Sequence, residues 1–461
     1  MLRDLAAQAG QLAPGDERLP ALPAHGSLVR ALQKAPWQAA GPGQGPDDIE
    51  SLPLIAELKR ASPSAGTLLR GDVASYLAGL RRGGACAISA VTAGGRFQGS
   101  FAVLRDAHAA GLPTLMKDFV QTPAQLDAAV RHGASAVLLI EKLVAGDERE
   151  RLVRQAHDRG LEVLLEVHDA VEAEGAATSR ADLLGVNSRD LDQLGIDIAA
   201  ALVVLRRLKD DQPDRPALLL SGVVGAAQAE AAREAGASGI LVGTALMKAR
   251  DPATTARLLR RPIAKVCGNR TPEDVAVALA GGADLVGVIV AAGSRRDVDL
   301  EQAGSLLRQA EAGGAASVAV TRDQTAAGLL ELVVRLRPRF LQVHGALEAG
   351  TVAALQTAGA GVLQAIAPGG QPVAGCDGTV TDSDPRGGSG IPHAGRSPIG
   401  PGVHLVAGGL EAANVAEAVQ RSGAAGADAS SRLETDGRKD AAKVAAFVRA
   451  AQRARRRSHG A

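Results

Sequence analysis

Short apolar runs alternate with Ala-rich helical stretches eight times over, and then eight times again; this rhythm limits the folds open to the 461-residue chain more than anything else in it. After the Pro/Gly-rich "GPGQGP" at 41–46 the runs are "PLIAELK", "ACAISAVT", "PTLMKDF", "SAVLLIE", "LEVLLEV", "DLLGVN", "ALLLSG" and "GILVG". Between them lie segments such as "PAQLDAAVRHGA" and "GAAQAEAAREAGA", helical by spacing and closed by Gly on the C-terminal side. Strands alternating with helices imply a parallel sheet with right-handed crossovers, and eight such units close into a (β/α)8 barrel. From residue 262 the count restarts with "PIAKVC", "ADLVGVIV", "ASVAVT", "RFLQVH", "GVLQAI", "GTVTD", "VHLVAGG" and "AGADASS". The last helix, "DAAKVAAFVRAAQ", sets Val444, Phe447, Val448 and Ala451 at helical spacing. The expected fold class is α/β, two consecutive (β/α)8 TIM barrels over residues 1–261 and 262–461. They should pack directly, because "LLRRPIAK" leaves almost no linker. Residues 367–402, rich in Gly, Pro and Ser, predict a long mobile loop system around the sixth strand of the second barrel.

Composition narrows the functional classes. The chain is 46% hydrophobic but only 2% aromatic, so its cores must be built from Ala, Val, Leu and Ile. With 51 basic and 50 acidic residues there is no electrostatic case for nucleic acid. Cys86, Cys267 and Cys376 form no CxxC, which argues against a zinc ribbon or a disulfide framework and for a reducing compartment. The N-terminus lacks the apolar core of a signal peptide, and no run approaches a membrane span. A cytoplasmic protein with neither membrane nor nucleic-acid partners is expected. The basic tail "RAAQRARRRSHGA" reads as a solvated helix end.

Polar residues gather at the strand ends of the first half, where such barrels place their chemistry. Glu57 and Lys59 lie two apart on the first strand, hence on one face, with Ser62 just beyond. A carboxylate and an ammonium buried side by side are costly unless used. The third strand ends in Lys117, the fifth in Glu166, and the sixth in Asn187 with Arg189 following. The seventh ends in Ser221–Gly222 and the eighth in Gly243–Thr244. A single lysine at a strand end is as readily a solvated rim charge; the gathering of so many polar ends is what points to a site. Glycines at strands seven and eight suit phosphate bound through backbone N–H groups.

These residues carry a resemblance. "IAELKRASPSAG", "LMKDF", "LLEVHD", "LLGVNSRDL", "LLLSGV" and "ILVGTALMKA" resemble, in order and spacing, the successive motifs of indole-3-glycerol-phosphate synthase over about residues 25–260. The resemblance implies ring closure and decarboxylation of carboxyphenylamino-deoxyribulose phosphate. It carries over Lys117 as general acid, Glu166 as general base, and Glu57, Lys59 and Asn187 as polar partners of the reacting centre. Ser221 would position substrate, with Ser62 as a further binding candidate; Arg189, Gly222, Gly243 and Thr244 would hold the phosphate. Lys and Glu in a dry charged pocket are expected to have pKa values drawn toward neutrality. One departure is Leu220, where the family usually has Glu before the "SG" of strand seven.

The second half opens with "KVCGNRTPEDV", in which Cys267 ends the first strand ahead of Gly and a helix start, a setting expected to favour thiolate. A lone Cys is more often a small buried hydrophobe. This stretch, with "LQVHG", "TDSDPRGGSG", "VAGGL" and "GADASSRLETDGRKD", resembles phosphoribosylanthranilate isomerase. The resemblance implies an Amadori rearrangement in which Cys267 is the general base and Asp382 the general acid. Arg296 would contact the substrate, and Gly408, Gly409, Ser430 and Ser431 would bind its phosphate. Departures are Arg295 in place of Pro, Arg432 in place of Gly, and no aromatic-Asp-Trp after "GGSG", implying an altered substrate lid. Two rivals are a histidine-pathway aminoaldose isomerase, which uses Asp where Cys267 stands, and a catalytically silent barrel that stabilises the first. No GxGxxG with a downstream acid, P-loop or metal-ligand cluster is present, and neither reaction needs a cofactor or metal. The expected partners are phosphorylated small-molecule substrates, with other tryptophan-pathway enzymes as candidate protein partners.

Overall fold

The computed structural model describes residues 20–33, 51–62, 66–67, 72–190, 195–382, 396–398 and 400–456. Every apolar run named above becomes a strand, and the strands close into two parallel barrels of eight. The first comprises Leu54–Leu58, Ala87–Val91, Thr114–Lys117, Ala136–Ile140, Glu162–Val167, Leu183–Asn187, Ala217–Leu220 and Gly239–Val242. Its first strand pairs with both its second and its eighth, Ile55 lying opposite Ala87 and Leu241. The second comprises Ile263–Val266, Leu285–Ile289, Ala316–Arg322, Phe340–His344, Gly361–Ile366, Gly378–Thr381, Val403–Val406 and Gly426–Ala429.

The pleat sorts each strand into two faces. In the first barrel Ile55, Leu115, Leu138, Leu164, Leu183, Leu218 and Leu241 fill the interior, and the buried helix residue Leu28 joins the same cluster. Helix Leu28–Gln33 is held there by Glu162, whose carboxylate accepts the backbone N–H groups of Leu28 and Val29. The outward face, which includes Ala56, Leu165 and Leu219, packs beneath the helices. In the second barrel Phe340 occupies the interior; a Cβ on Gly361 would come within 2.5 Å of its ring. With so few aromatics, one large side chain facing a glycine is how that floor is filled. The helices begin on side-chain caps, among them Asp72, Asp169, Asp197 and Asp251, then Thr271, Asp299, Thr325 and Asp440.

Helix Pro252–Arg260 joins the barrels and packs on helix Val73–Arg82, and the next strand starts at Ile263. A Cβ on Gly83 would meet that of Ala256 at 2.6 Å. Arg261 forks both oxygens of buried Asp284 at 2.9 Å, while Arg257 donates to the carbonyls of Arg82 and Gly314. Apolar packing runs unbroken through Leu258 and Leu259 to Ile263. Among the described residues, no helix is long and apolar enough to cross a membrane, and no cluster of three metal-ligating side chains occurs. The stretch expected to form the altered lid, 383–395, lies outside the described residues.

Candidate active sites

In the first barrel the inward face that is apolar at the floor turns polar at the C-terminal rim. Glu57 is buried within its strand, whereas Lys59 falls one residue past the end, and its ammonium reaches back to Glu57 Oε1 at 2.6 Å. Lys117 Nζ stands 3.4 Å from Glu166 Oε2, and Asn187 Nδ2 donates to Glu166 Oε1 at 2.9 Å. Strands one, three, five and six therefore bring their polar ends to one place.

The electrostatics correct the expectation of pKa values drawn toward neutrality. Burial pushes the Glu166 carboxyl up, but Lys117, His168 and Asn187 outweigh it and hold it at about 2. Burial works against the Lys117 ammonium too, yet Glu166 and Glu57 raise it above its ordinary value, with Arg189 opposing. Glu57, desolvated but facing Lys59 and Lys117, is lowered. Mutual pairing of opposite charges wins over desolvation at each position. The lysine is thereby kept protonated and the glutamate ionised.

His168 was not picked out in the sequence, although strand alternation from Glu166 places it on the same face. Its Nε2 lies 3.4 Å from Glu166 and its Nδ1 3.0 Å from Glu172. Burial lowers this imidazole, but the two carboxylates carry it to about 9, so it is a cation at neutral pH.

Other positions divide by role. Ser221 and Gly222 both adopt left-handed backbone, φ 63° and 73°, at the end of strand seven, and a Cβ on Gly222 would strike Ser188, Ile198 and Ile196. Gly243 caps helix Thr244–Lys248, but its closest neighbours are catalytic candidates: an added Cβ would lie 2.4 Å from Glu57 Oε1 and 2.9 Å from Lys59 Nζ. Ser62 belongs to a small hairpin pairing Ala61–Ser62 with Gly66–Thr67. Leu220, opposite Asn187 in register, is fully buried in the barrel interior with Leu164 and leans over Gly185. Apolar packing occupies the place of the usual carboxylate.

In the second barrel the strand ends surround a cavity of about 480 Å³ lined by Cys267, Arg296, Asp382, Gly408, Gly409, Ser430 and Ser431, all named from sequence. Cys267 and Asp382 are both nearly buried there. Gly408 and Gly409 take φ 102° and 56°, a left-handed pair that leaves the backbone bare to the cavity. Arg296 does line the cavity, but its Nε and Nη2 are forked onto Glu434 at 2.8 and 2.9 Å. Lys439 shares that carboxylate at 3.0 Å.

Cys267 calls for a second correction. A helix start follows it, yet burial dominates and pushes the thiol up; Lys265, one layer deeper, and Lys439 pull it down without prevailing, and Asp428 opposes them. Lys265 is wholly buried and paired with Asp428 at 2.7 Å. Sequence reading missed this pair, as it did Arg322, Gln342 and His344, which also line the cavity. The alternation that puts Cys267 inward puts Lys265 inward as well, and would have found it.

Comparisons with known proteins match a different family to each half of the chain. The family model "indole-3-glycerol phosphate synthase" matches residues 46–259, and "N-(5'phosphoribosyl)anthranilate (PRA) isomerase" matches 264–450. Indole-3-glycerol phosphate synthase of Exiguobacterium sibiricum is 39% identical over 204 residues, 44% of this chain and 78% of that one. The synthase of Halobacterium salinarum is 37% identical over 236 residues, 50% of this chain and 87% of that one. A multifunctional tryptophan biosynthesis protein of Phanerodontia chrysosporium is 34% identical over 273 residues, 54% of this chain and 34% of that one. Among solved structures, TrpF from Jonesia denitrificans is 28% identical, covering 41% of this chain and 96% of that one with a TM-score of 0.35. With the synthase match on its first barrel and the isomerase match on its second, the chain belongs to the indole-3-glycerol phosphate synthase family as a bifunctional synthase–isomerase of tryptophan biosynthesis.

Proposed function

We propose that the two activities divide at residues 261 and 262 and are carried by the side chains gathered at each barrel mouth. In the isomerase half, Asp382 protonates the ring oxygen of phosphoribosylanthranilate, opening the furanose, and Cys267 takes the C2′ proton. The product, carboxyphenylamino-deoxyribulose phosphate, is the substrate of the first barrel. There Lys117 protonates the ketone oxygen as the ring carbon attacks, carbon dioxide leaves, and the acid then assists the loss of water while Glu166 removes a proton. Hydrogen moves within one molecule in the first reaction, and the second loses only carbon dioxide and water, so neither draws on an external oxidant or reductant.

The observation that carries this reading is the geometry of the first site: the Lys117 ammonium stands 3.4 Å from one oxygen of the buried Glu166 carboxylate while Asn187 donates to the other at 2.9 Å. Glu57 and Lys59 orient the reacting centre with Asn187, Ser221 positions substrate, and Ser62 is a further substrate contact. Arg189, Gly222, Gly243 and Thr244 receive the phosphate. In the second site Gly408, Gly409, Ser430 and Ser431 receive the phosphate and Arg296 borders the substrate. Both substrates are small phosphorylated acids handled in the cytoplasm, with other enzymes of the pathway as the natural protein partners and no role for nucleic acid or membrane. The test is to feed each half separately. Cys267→Ala should abolish consumption of phosphoribosylanthranilate while sparing turnover of carboxyphenylamino-deoxyribulose phosphate, and Glu166→Gln should do the reverse. Loss of both activities in either variant would refute the division of labour.

A further inference from the structure

The two oxygens of Glu166 in the first barrel face different neighbours. Oε2 lies 3.4 Å from the Lys117 ammonium, whereas Oε1 accepts from Asn187 at 2.9 Å and stands 3.4 Å from His168 Nε2. His168 directly follows strand five, Glu162–Val167, and the alternation that turns Leu164 and Glu166 inward turns it inward too. Helix Ala170–Ala177 comes next, and Glu172 in its first turn grips the histidine twice. Its Oε2 accepts the His168 backbone N–H at 2.9 Å and pairs with ring Nδ1 at 3.0 Å.

Capping the helix does not account for the imidazole. The backbone N–H would serve Glu172 whatever side chain stood at 168, yet ring Nε2 is buried, closes no hydrogen bond among the described residues and lies over Glu166. A buried donor left in that state is costly unless it is used. Lys117, Glu166, His168 and Glu172 make a chain of alternating charge from strand three to the helix. The Glu166 side chain is 1% exposed and those of His168 and Glu172 are 14% and 15%, so salt screens the chain little. The charges flanking it are the Glu57–Lys59 pair at strand one and Arg189 beyond strand six; Glu57 supports the Lys117 ammonium and Arg189 opposes it. The two carboxylates that face the ring carry it to about 9, so it stays charged through neutral pH.

We propose that His168, anchored by Glu172, is a positioning residue of the synthase reaction: with Asn187 it fixes Glu166 Oε1, which leaves Oε2 as the oxygen that takes the substrate proton. Oε2 is also the oxygen facing Lys117. The proton it collects therefore returns across 3.4 Å to the amine that has just given one to the departing water, and the carboxylate is ionised again for the next turnover. The inference rests on the synthase reading above and adds the group that aims its base.

The test is the pH profile of synthase turnover on carboxyphenylamino-deoxyribulose phosphate in the full-length protein. In the unaltered chain kcat/KM should fall as pH rises through about 9, where the ring loses its charge. Lys117, held above its ordinary ~10.4, keeps its proton there and is not the cause of that fall. His168→Gln should lower kcat by roughly tenfold or more at neutral pH, change KM by less than about twofold, and lose the fall near 9. Glu172→Gln should keep the fall but move it below 9, since one of the two carboxylates that hold the ring's proton is gone. Isomerase turnover in the same molecules reports that they are folded. A fall that persists near pH 9 in His168→Gln, or that stays unmoved in Glu172→Gln, would overturn the proposal. So would His168→Gln turnover within about twofold of the parent, or an equal loss of both activities, the mark of a histidine that only builds the fold. No synthase turnover at all in the unaltered chain would refute the underlying reading and the proposal with it, a result distinct from turnover that ignores the ring.

Discussion

Replacing Gly243 by alanine is a perturbation whose size can be worked out from the coordinates. The residue sits at φ −120°, ψ −73°, outside the left-handed region, so an alanine meets no prohibitive backbone strain there. Its Cβ would arrive 2.4 Å from Glu57 Oε1 and 2.9 Å from Lys59 Nζ, whereas an unstrained contact needs about 3.4 Å. Both obstructing atoms are the ends of flexible side chains, so the fold yields easily: the carboxylate moves by about 1 Å and the 2.6 Å pair to Lys59 is disturbed. Stability should change by less than about 1 kcal/mol. Chemistry is less forgiving, and a misplacement of ~1 Å in a catalytic constellation costs on the order of 10²-fold. Gly243→Ala should therefore lower synthase kcat by about two orders of magnitude, with the melting temperature nearly unchanged and isomerase turnover intact. Synthase turnover within about threefold of the parent would show that the Glu57–Lys59 geometry does not matter. Loss of both activities would show that the glycine is structural.

Cys267→Ala and Asp382→Asn should each lower the isomerase rate by ~10²–10⁴, with a double variant little worse than the poorer single one, since ring opening is useless without the proton shift. Because burial raises the Cys267 thiol, isomerase kcat/KM should keep rising with pH beyond the ~8.5 of a free thiol, and a plateau already reached at neutral pH would contradict a thiolate base. His168 has a folded value of about 9 against 6.5 unfolded, so its stabilising charge is complete below 6.5 and lost as pH rises through 9; thermal stability should fall over that window and flatten in His168→Gln. Arg261→Ala strands the buried Asp284 carboxylate without its fork and should cost about 3 kcal/mol, shortening the thermal lifetime of both activities together because the pair sits at the junction.

The fold was legible because barrel strands buried on both faces read as unbroken apolar runs, and "SAVLLIE" or "ADLVGVIV" has little else to become. The candidate residues were legible as interruptions of those runs: a lysine ending "LMK" or a glutamate in "LLEV" stands out against Leu and Val. What stayed hidden depends on partners far apart in sequence. Nothing near Lys265 announces Asp428, 163 residues away, yet strand register sets them side by side and a 2.7 Å pair results. The balance between burial and pairing was hidden for the same reason. It fell toward pairing at Glu166, which meets Lys117, His168 and Asn187, and toward burial at Cys267, whose cations are already engaged by Asp428 and Glu434. The close packing at Gly243 was concealed too, since a glycine after a strand suggests phosphate binding and only the fold brings the Glu57–Lys59 pair against it.

The claim that one chain performs two consecutive reactions is tested most directly by giving the purified protein phosphoribosylanthranilate alone and following indole-3-glycerol phosphate. Substrate loss should be followed by formation of an equal amount of indole-3-glycerol phosphate, with no other enzyme added. An untouched substrate would contradict the isomerase assignment, and carboxyphenylamino-deoxyribulose phosphate accumulating as the end product would contradict the synthase assignment.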